Sequence, residues 1–111
     1  MTQFFTNLRL LDPQAGTLEP AAVLVRNGVI AEVLASDATT PDGAEVMDCS
    51  GHILAPGIVD IGVKVCEPGE RHKESYRSAG LAAAAGGVTT MVTRPDTDPA
   101  IDSPETLAFV T

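Results

Sequence analysis

The feature that most constrains the fold is an alternation that begins at Gly57. Residues 57–65 form an apolar run rich in β-branched side chains and read as a buried strand. Glu67-Pro68-Gly69-Glu70 is loop, punctuated by proline and glycine. Residues 74–85 read as a helix, most strongly around Leu81-Ala82-Ala83-Ala84-Ala85, with Gly86-Gly87 closing it. The small residues 82–85 suit close helix–sheet packing, and a glycine pair that follows a helix is a cap and not a phosphate loop. Residues 88–93 read as a second buried strand ending in the turn-rich stretch 94–99. Ser103-Pro104-Glu105 opens a further helix, with serine as N-cap and proline at the first helical position, extending to Thr111. Strand, helix, strand, helix with short connections predicts a parallel α/β unit over residues 57–111.

Residues 1–56 have a different character. Residues 3–11 read as a strand that breaks at Asp12-Pro13. Residues 21–26 and 29–35 flank Asn27-Gly28, a two-residue loop suited to positive φ at both positions, which predicts a hairpin. Residues 36–43 are loop and 45–48 a short strand, with no chemistry in this half. The last helix is shorter than the roughly 12 residues at which isolated helices become stable. A two-stranded parallel unit also leaves both edges unpaired. The expectation is that these residues are part of something larger.

Composition excludes several classes. With 44% hydrophobic and 20% charged residues the chain is too apolar for disorder. No apolar run reaches the roughly 18 residues needed to span a bilayer, and Met1-Thr2-Gln3-Phe4-Phe5 does not open like a signal peptide. Two cysteines, Cys49 and Cys66, read as reduced thiols, which implies a cytoplasmic protein. A net charge of −8 repels nucleic acid and anionic membrane, and 4% aromatic content with no Trp leaves no base-stacking platform.

From Asp48 onward the sequence resembles the dihydroorotases and their close relatives in the amidohydrolase superfamily. The likeness lies in Asp48-Cys49-Ser50-Gly51, Leu54-Ala55-Pro56-Gly57-Ile58-Val59-Asp60, Glu67-Pro68-Gly69-Glu70 and Lys73-Glu74. It continues through Ala83-Ala84-Ala85-Gly86-Gly87-Val88-Thr89-Thr90, Pro95, Thr97, Pro99 and Asp102. The resemblance implies an α/β chain with a β-sandwich portion over residues 1–56, followed from Gly57 by the first two βα units of a TIM (β/α)₈ barrel. A whole barrel takes about 250 residues, so the barrel would be truncated.

In active relatives the first barrel strand ends in His-x-His, two residues on one side of a strand that converge on zinc and activate water. Here those positions are Gly62, which has no ligand atom, and Lys64, whose ammonium repels a dication. The family's substrate-binding Arg falls on Cys66, and the Asn that contacts the substrate carboxylate falls on Asp96. With four functional positions changed, no metal ligand or catalytic residue is assigned and no cofactor is expected. The resemblance points to a non-catalytic dihydroorotase-like chain, a structural or regulatory partner of the aspartate transcarbamoylase catalytic chain in pyrimidine biosynthesis. The rest of its own barrel and further copies of itself are the other expected partners. The rival reading is an active, metal-dependent hydrolase of cyclic amides, dihydroorotase or hydantoinase type, with relocated ligands. A third is an autonomous interaction module.

Asp60, Gly62, Lys64 and Cys66 are expected on one strand face, where Lys64 either takes the metal's place and pairs with Asp60 or Asp96, the favoured reading, or is simply solvent-exposed. His52 and His72 have no partner at ligand spacing. Cys66 reads as an inert buried thiol, although Lys64 and Arg71 lie near it in sequence.

Overall fold

The computed structural model describes residues 1–110. Backbone contacts divide it into two units, one of Met1–Pro56 and one beginning at Gly57.

The first unit is a sheet of β1 (Thr2–Asp12), β2 (Thr17–Arg26), β3 (Val29–Ala35), β4 (Glu45–Asp48) and β5 (Ile53–Leu54). The order is β3-β2-β1-β4, with β5 also on β1. β1–β2 and β2–β3 are antiparallel hairpins, whereas β4 and β5 run parallel to β1. Asn27 and Gly28 adopt φ of 52° and 78°, the left-handed pair a tight hairpin requires. The first hairpin turns at Asp12, whose carboxylate accepts the backbone N–H groups of Gln14 (2.9 Å) and Ala15 (3.0 Å). Within Met1–Pro56 the strands form this single sheet.

The core lies on both faces of this sheet. Phe4, Ala22 and Leu24 form one buried cluster, and Leu8, Ala21 and Val23 form another. Phe4 and Leu8 are four apart, so simple alternation puts them on the same face. They separate because the β1–β2 register slips between Phe5 and Leu8, where Asn7 has φ 57°. The extra residue of this bulge inverts the parity of β1.

The second unit contains β6 (Ile58–Val63), α1 (Tyr76–Ala85), β7 (Val88–Thr93) and α2 (Pro104–Val110). β6 and β7 pair in parallel, as the strand–helix–strand pattern predicts, and α1 makes the crossover. The helix expected from Glu74 begins at Tyr76, because Ser75 and Ser78 form a capping box in which each side chain accepts the other's backbone N–H. The glycine pair ends it as a cap: Gly86 donates to Ala83 O at 3.0 Å, and Gly87 turns to φ 82°. Ser103 caps α2 by accepting the Thr106 N–H at 3.2 Å. Thr111, where that helix was expected to end, lies outside the described residues.

Two expectations for residues 57–65 fail. The strand stops at Val63, and it is exposed: Ile58 is 54% and Ile61 77% accessible. An apolar strand registers the burial it reaches in a filled sheet, and β6 has only β7 beside it here. Among the described residues no helix is long and apolar enough to cross a membrane.

Candidate functional site

Parallel pairing brings the C-terminal ends of β6 and β7 to one end of the unit, where Arg94 N donates to Val63 O at 2.8 Å. The loops that follow come together there. Gly69 has φ 101°, and a Cβ on it would stand 2.0 Å from the carbonyl oxygen of Asp98. Only glycine permits that approach. Both loops contain a cis peptide, at Glu67-Pro68 and Asp98-Pro99.

Between the loops is a cavity of about 350 Å³ lined by Lys64, Val65, Cys66, Pro68, Glu70, Asp96, Thr97 and Asp98. Three of the four altered positions singled out in the sequence, Lys64, Cys66 and Asp96, thus come together, with Cys66 half-buried and the other two exposed. Gly62 does not line the cavity. It has φ 88° and lies in a register shift between Ile61 and Val63.

That bulge corrects the expected common face of Asp60, Gly62, Lys64 and Cys66. The two-residue alternation breaks at Gly62, and Lys64 and Cys66 follow the end of the strand. The expected charge pair is also not formed. Among the described residues no ion pair joins Lys64 to Asp60 or to Asp96, and Asp96 instead holds Arg94 at 2.6 Å.

The surrounding charges are mostly matched locally. Lys73 hydrogen-bonds Glu70, which holds the Glu70 carboxyl below its usual range and raises the Lys73 ammonium above its own. Glu67, whose side chain is only 14% exposed, accepts the Tyr76 N–H at 2.8 Å and pairs with Arg71 Nε at 3.0 Å. It therefore fastens the loop to the start of α1. Sequence reading missed this role, because the partner N–H is nine residues away and becomes a free donor only once Ser75 starts the helix.

The family resemblance raises zinc, and the residues of this cavity do not fit it. Gly62 offers no donor, and its left-handed backbone is one that a histidine rarely adopts. Lys64 brings a positive charge to the cavity wall. Among the described residues no three His, Cys, Asp or Glu side chains are grouped so as to hold a metal. His52 belongs to the first unit, with Nδ1 3.1 Å from Ser50 O, and His72 is exposed.

Comparison with known proteins agrees with the matched motifs. A family model described as Dihydro-orotase-like matches residues 51–111. The dihydroorotase of Streptococcus pneumoniae is 44% identical over 104 residues, which is 94% of this chain and 24% of that protein. The dihydroorotase of Anaplasma phagocytophilum is 42% identical over 107 residues, covering 92% of this chain and 24% of its own. The chain thus spans about a quarter of the length of the curated relatives it matches. Among solved structures, a D-hydantoinase superposes with a TM-score of 0.78 at 26% identity, over 98% of this chain and 23% of the other. The L-hydantoinase (dihydropyrimidinase) of Arthrobacter aurescens superposes with a TM-score of 0.82 at 23% identity, over 98% and 24%, a likeness of fold alone. On the family match, which spans more than half of its residues, this chain belongs to the dihydroorotase-like family.

Proposed function

We propose that this chain is the opening of a TIM-barrel protein that keeps the dihydroorotase-like scaffold without its catalysis. In this reading it acts in the cytoplasm as a structural or regulatory partner of aspartate transcarbamoylase in pyrimidine biosynthesis. The observation that carries the reading is the pair Gly62 and Lys64. One position has no donor and a glycine-type backbone, and the other carries a cation where a dication would have to bind. Cys66 and Asp96 extend the argument to the substrate. Neither supplies a cation for a carboxylate, and Asp96 adds a like charge.

A second reading is supported by the curated relatives, which are named dihydroorotase at 42–44% identity. It has the full-length protein hydrolysing a cyclic amide with metal ligands from elsewhere in its chain. Affinity purification of the full-length protein, followed by assay of dihydroorotate hydrolysis, separates the two. The proposal predicts co-purifying aspartate transcarbamoylase and no turnover by the dihydroorotase-like chain alone. A clean preparation that turns over dihydroorotate, and stops when treated with a chelator, overturns it.

A further inference from the structure

These 111 residues contain two asparagines, Asn7 and Asn27, and the structure makes them a matched pair. Both are exposed, and both have a left-handed backbone, with φ of 57° and 52°. They differ in what surrounds the side-chain amide. Asn7 Nδ2 donates to Asp48 Oδ1 at 2.9 Å, and the next residue, Leu8, is a core side chain whose backbone pairs with Ala21. Asn27 Oδ1 accepts the Met1 amino group at 3.0 Å, but Asn27 Nδ2 has no partner among the described residues. The residue after it is Gly28, in the two-residue loop between β2 and β3 and outside the strand ladder. Its N–H has no hydrogen-bond acceptor among the described residues, and the space where a Cβ would stand is open. Glycine therefore leaves its own nitrogen unobstructed.

We infer that Asn27 is a site of spontaneous deamidation and that Asn7 is protected from it. The Gly28 nitrogen, giving up its proton to solvent base, attacks Asn27 Cγ. An N–Cγ bond forms, the Cγ–Nδ2 bond breaks, and Nδ2 leaves as ammonia. Water then opens the five-membered imide at either carbonyl, giving aspartate or isoaspartate with no redox change. A tight turn fixes both residues, so the attacking geometry is reached through transient opening of the loop. That opening is local. β3 is the edge strand of its sheet, and Val29 and Ile30 beside the loop are exposed. Leu8, by contrast, would have to leave both the core and the ladder. The two products differ in consequence. Aspartate followed by glycine suits the same left-handed pair. Isoaspartate adds a methylene to the main chain, which a two-residue loop cannot absorb without disturbing the Arg26–Val29 pairing. The inference is independent of whether the protein is catalytic.

The test incubates the folded full-length protein in mildly alkaline buffer and maps it with trypsin beside an unincubated sample, so that loss during digestion is subtracted. Cleavage after Arg26 and Lys64 isolates Asn27 as the sole side-chain amide of its peptide. That peptide is expected to gain the mass of an amide-to-carboxylate exchange and to split into two products. The peptide ending at Arg9 is expected to keep Asn7 as the amide. Gly28→Ala, which places a methyl beside the attacking nitrogen, should slow the loss severalfold; the loop lies at the sheet edge, so the fold survives the change. An Asn27 peptide unchanged against the unincubated sample overturns the inference, as does loss at Asn7 at the same rate. Loss undiminished in Gly28→Ala would show direct hydrolysis of the amide and overturn the role given to Gly28.

Discussion

Replacing Gly69 by alanine should open the candidate site and cost more than an ordinary loop substitution. Two independent effects add at this position. The backbone has φ 101°, where an L side chain costs about 1–2 kcal/mol. The new Cβ would also stand 2.0 Å from a backbone oxygen, Asp98 O, which has no rotamer by which to move aside. Relieving such an overlap by shifting the chain costs about 1–3 kcal/mol. The sum, about 2–5 kcal/mol, is a loss of roughly 10 °C or more in Tm for a domain of this size. Gly80→Ala serves as the internal control. Gly80 lies inside α1, nothing would come within 4 Å of its Cβ, and alanine there should stabilise by about 0.5–1 kcal/mol. Thermal unfolding followed by circular dichroism reads both. Equal Tm for Gly69→Ala and wild type would refute the claim that the 67–70 and 94–99 loops are in contact.

Other consequences are open to the same kind of measurement. Phe4→Ala empties a fully buried position beside Ala22 and Leu24 and should cost about 3–5 kcal/mol in denaturant unfolding. Glu67→Ala removes the acceptor for Tyr76 N–H and the Arg71 partner; a loss of about 1–2 kcal/mol is expected, with helical signal from α1 fraying first on hydrogen exchange. Asp48 is held below the usual carboxylate range first by Asn7 and then by Ser50. Its contribution is thus fully present above the unfolded value of about 3.9 and is lost as pH falls through the lower folded value. Melting curves of wild type and Asp48→Ala should accordingly converge as pH drops below about 4, and a constant gap would contradict the assignment.

Local chemistry was readable wherever the structure-forming groups are close in sequence. Asn27-Gly28, Ser103-Pro104 and Gly86-Gly87 each satisfy their own turn or cap within a few residues, and each performs the role its residue types imply. The bulge at Asn7 was not legible, because it is defined by a slip against β2 and not by any motif within β1. The same applies to Gly62. As a sequence it is a missing ligand, but its φ of 88° shows that the backbone has taken a left-handed turn, which ends the alternation on which the expected shared face depended. The charge pair of Lys64 with Asp60 fails for that reason, while the gathering of Lys64, Cys66 and Asp96 in one cavity follows from parallel pairing, which the pattern did predict. Burial of residues 57–63 was misjudged because composition registers a filled sheet and the described residues supply one neighbouring strand, whereas Val65, just beyond the strand, is buried as expected.

The central claim is that the end of β6 no longer serves a metal. Elemental analysis of the full-length protein, produced in zinc-supplemented medium and purified without chelator, tests it most directly. The account predicts zinc far below one ion per chain. Zinc at one or two ions per chain, lost together with dihydroorotate turnover on dialysis against a chelator, would contradict it.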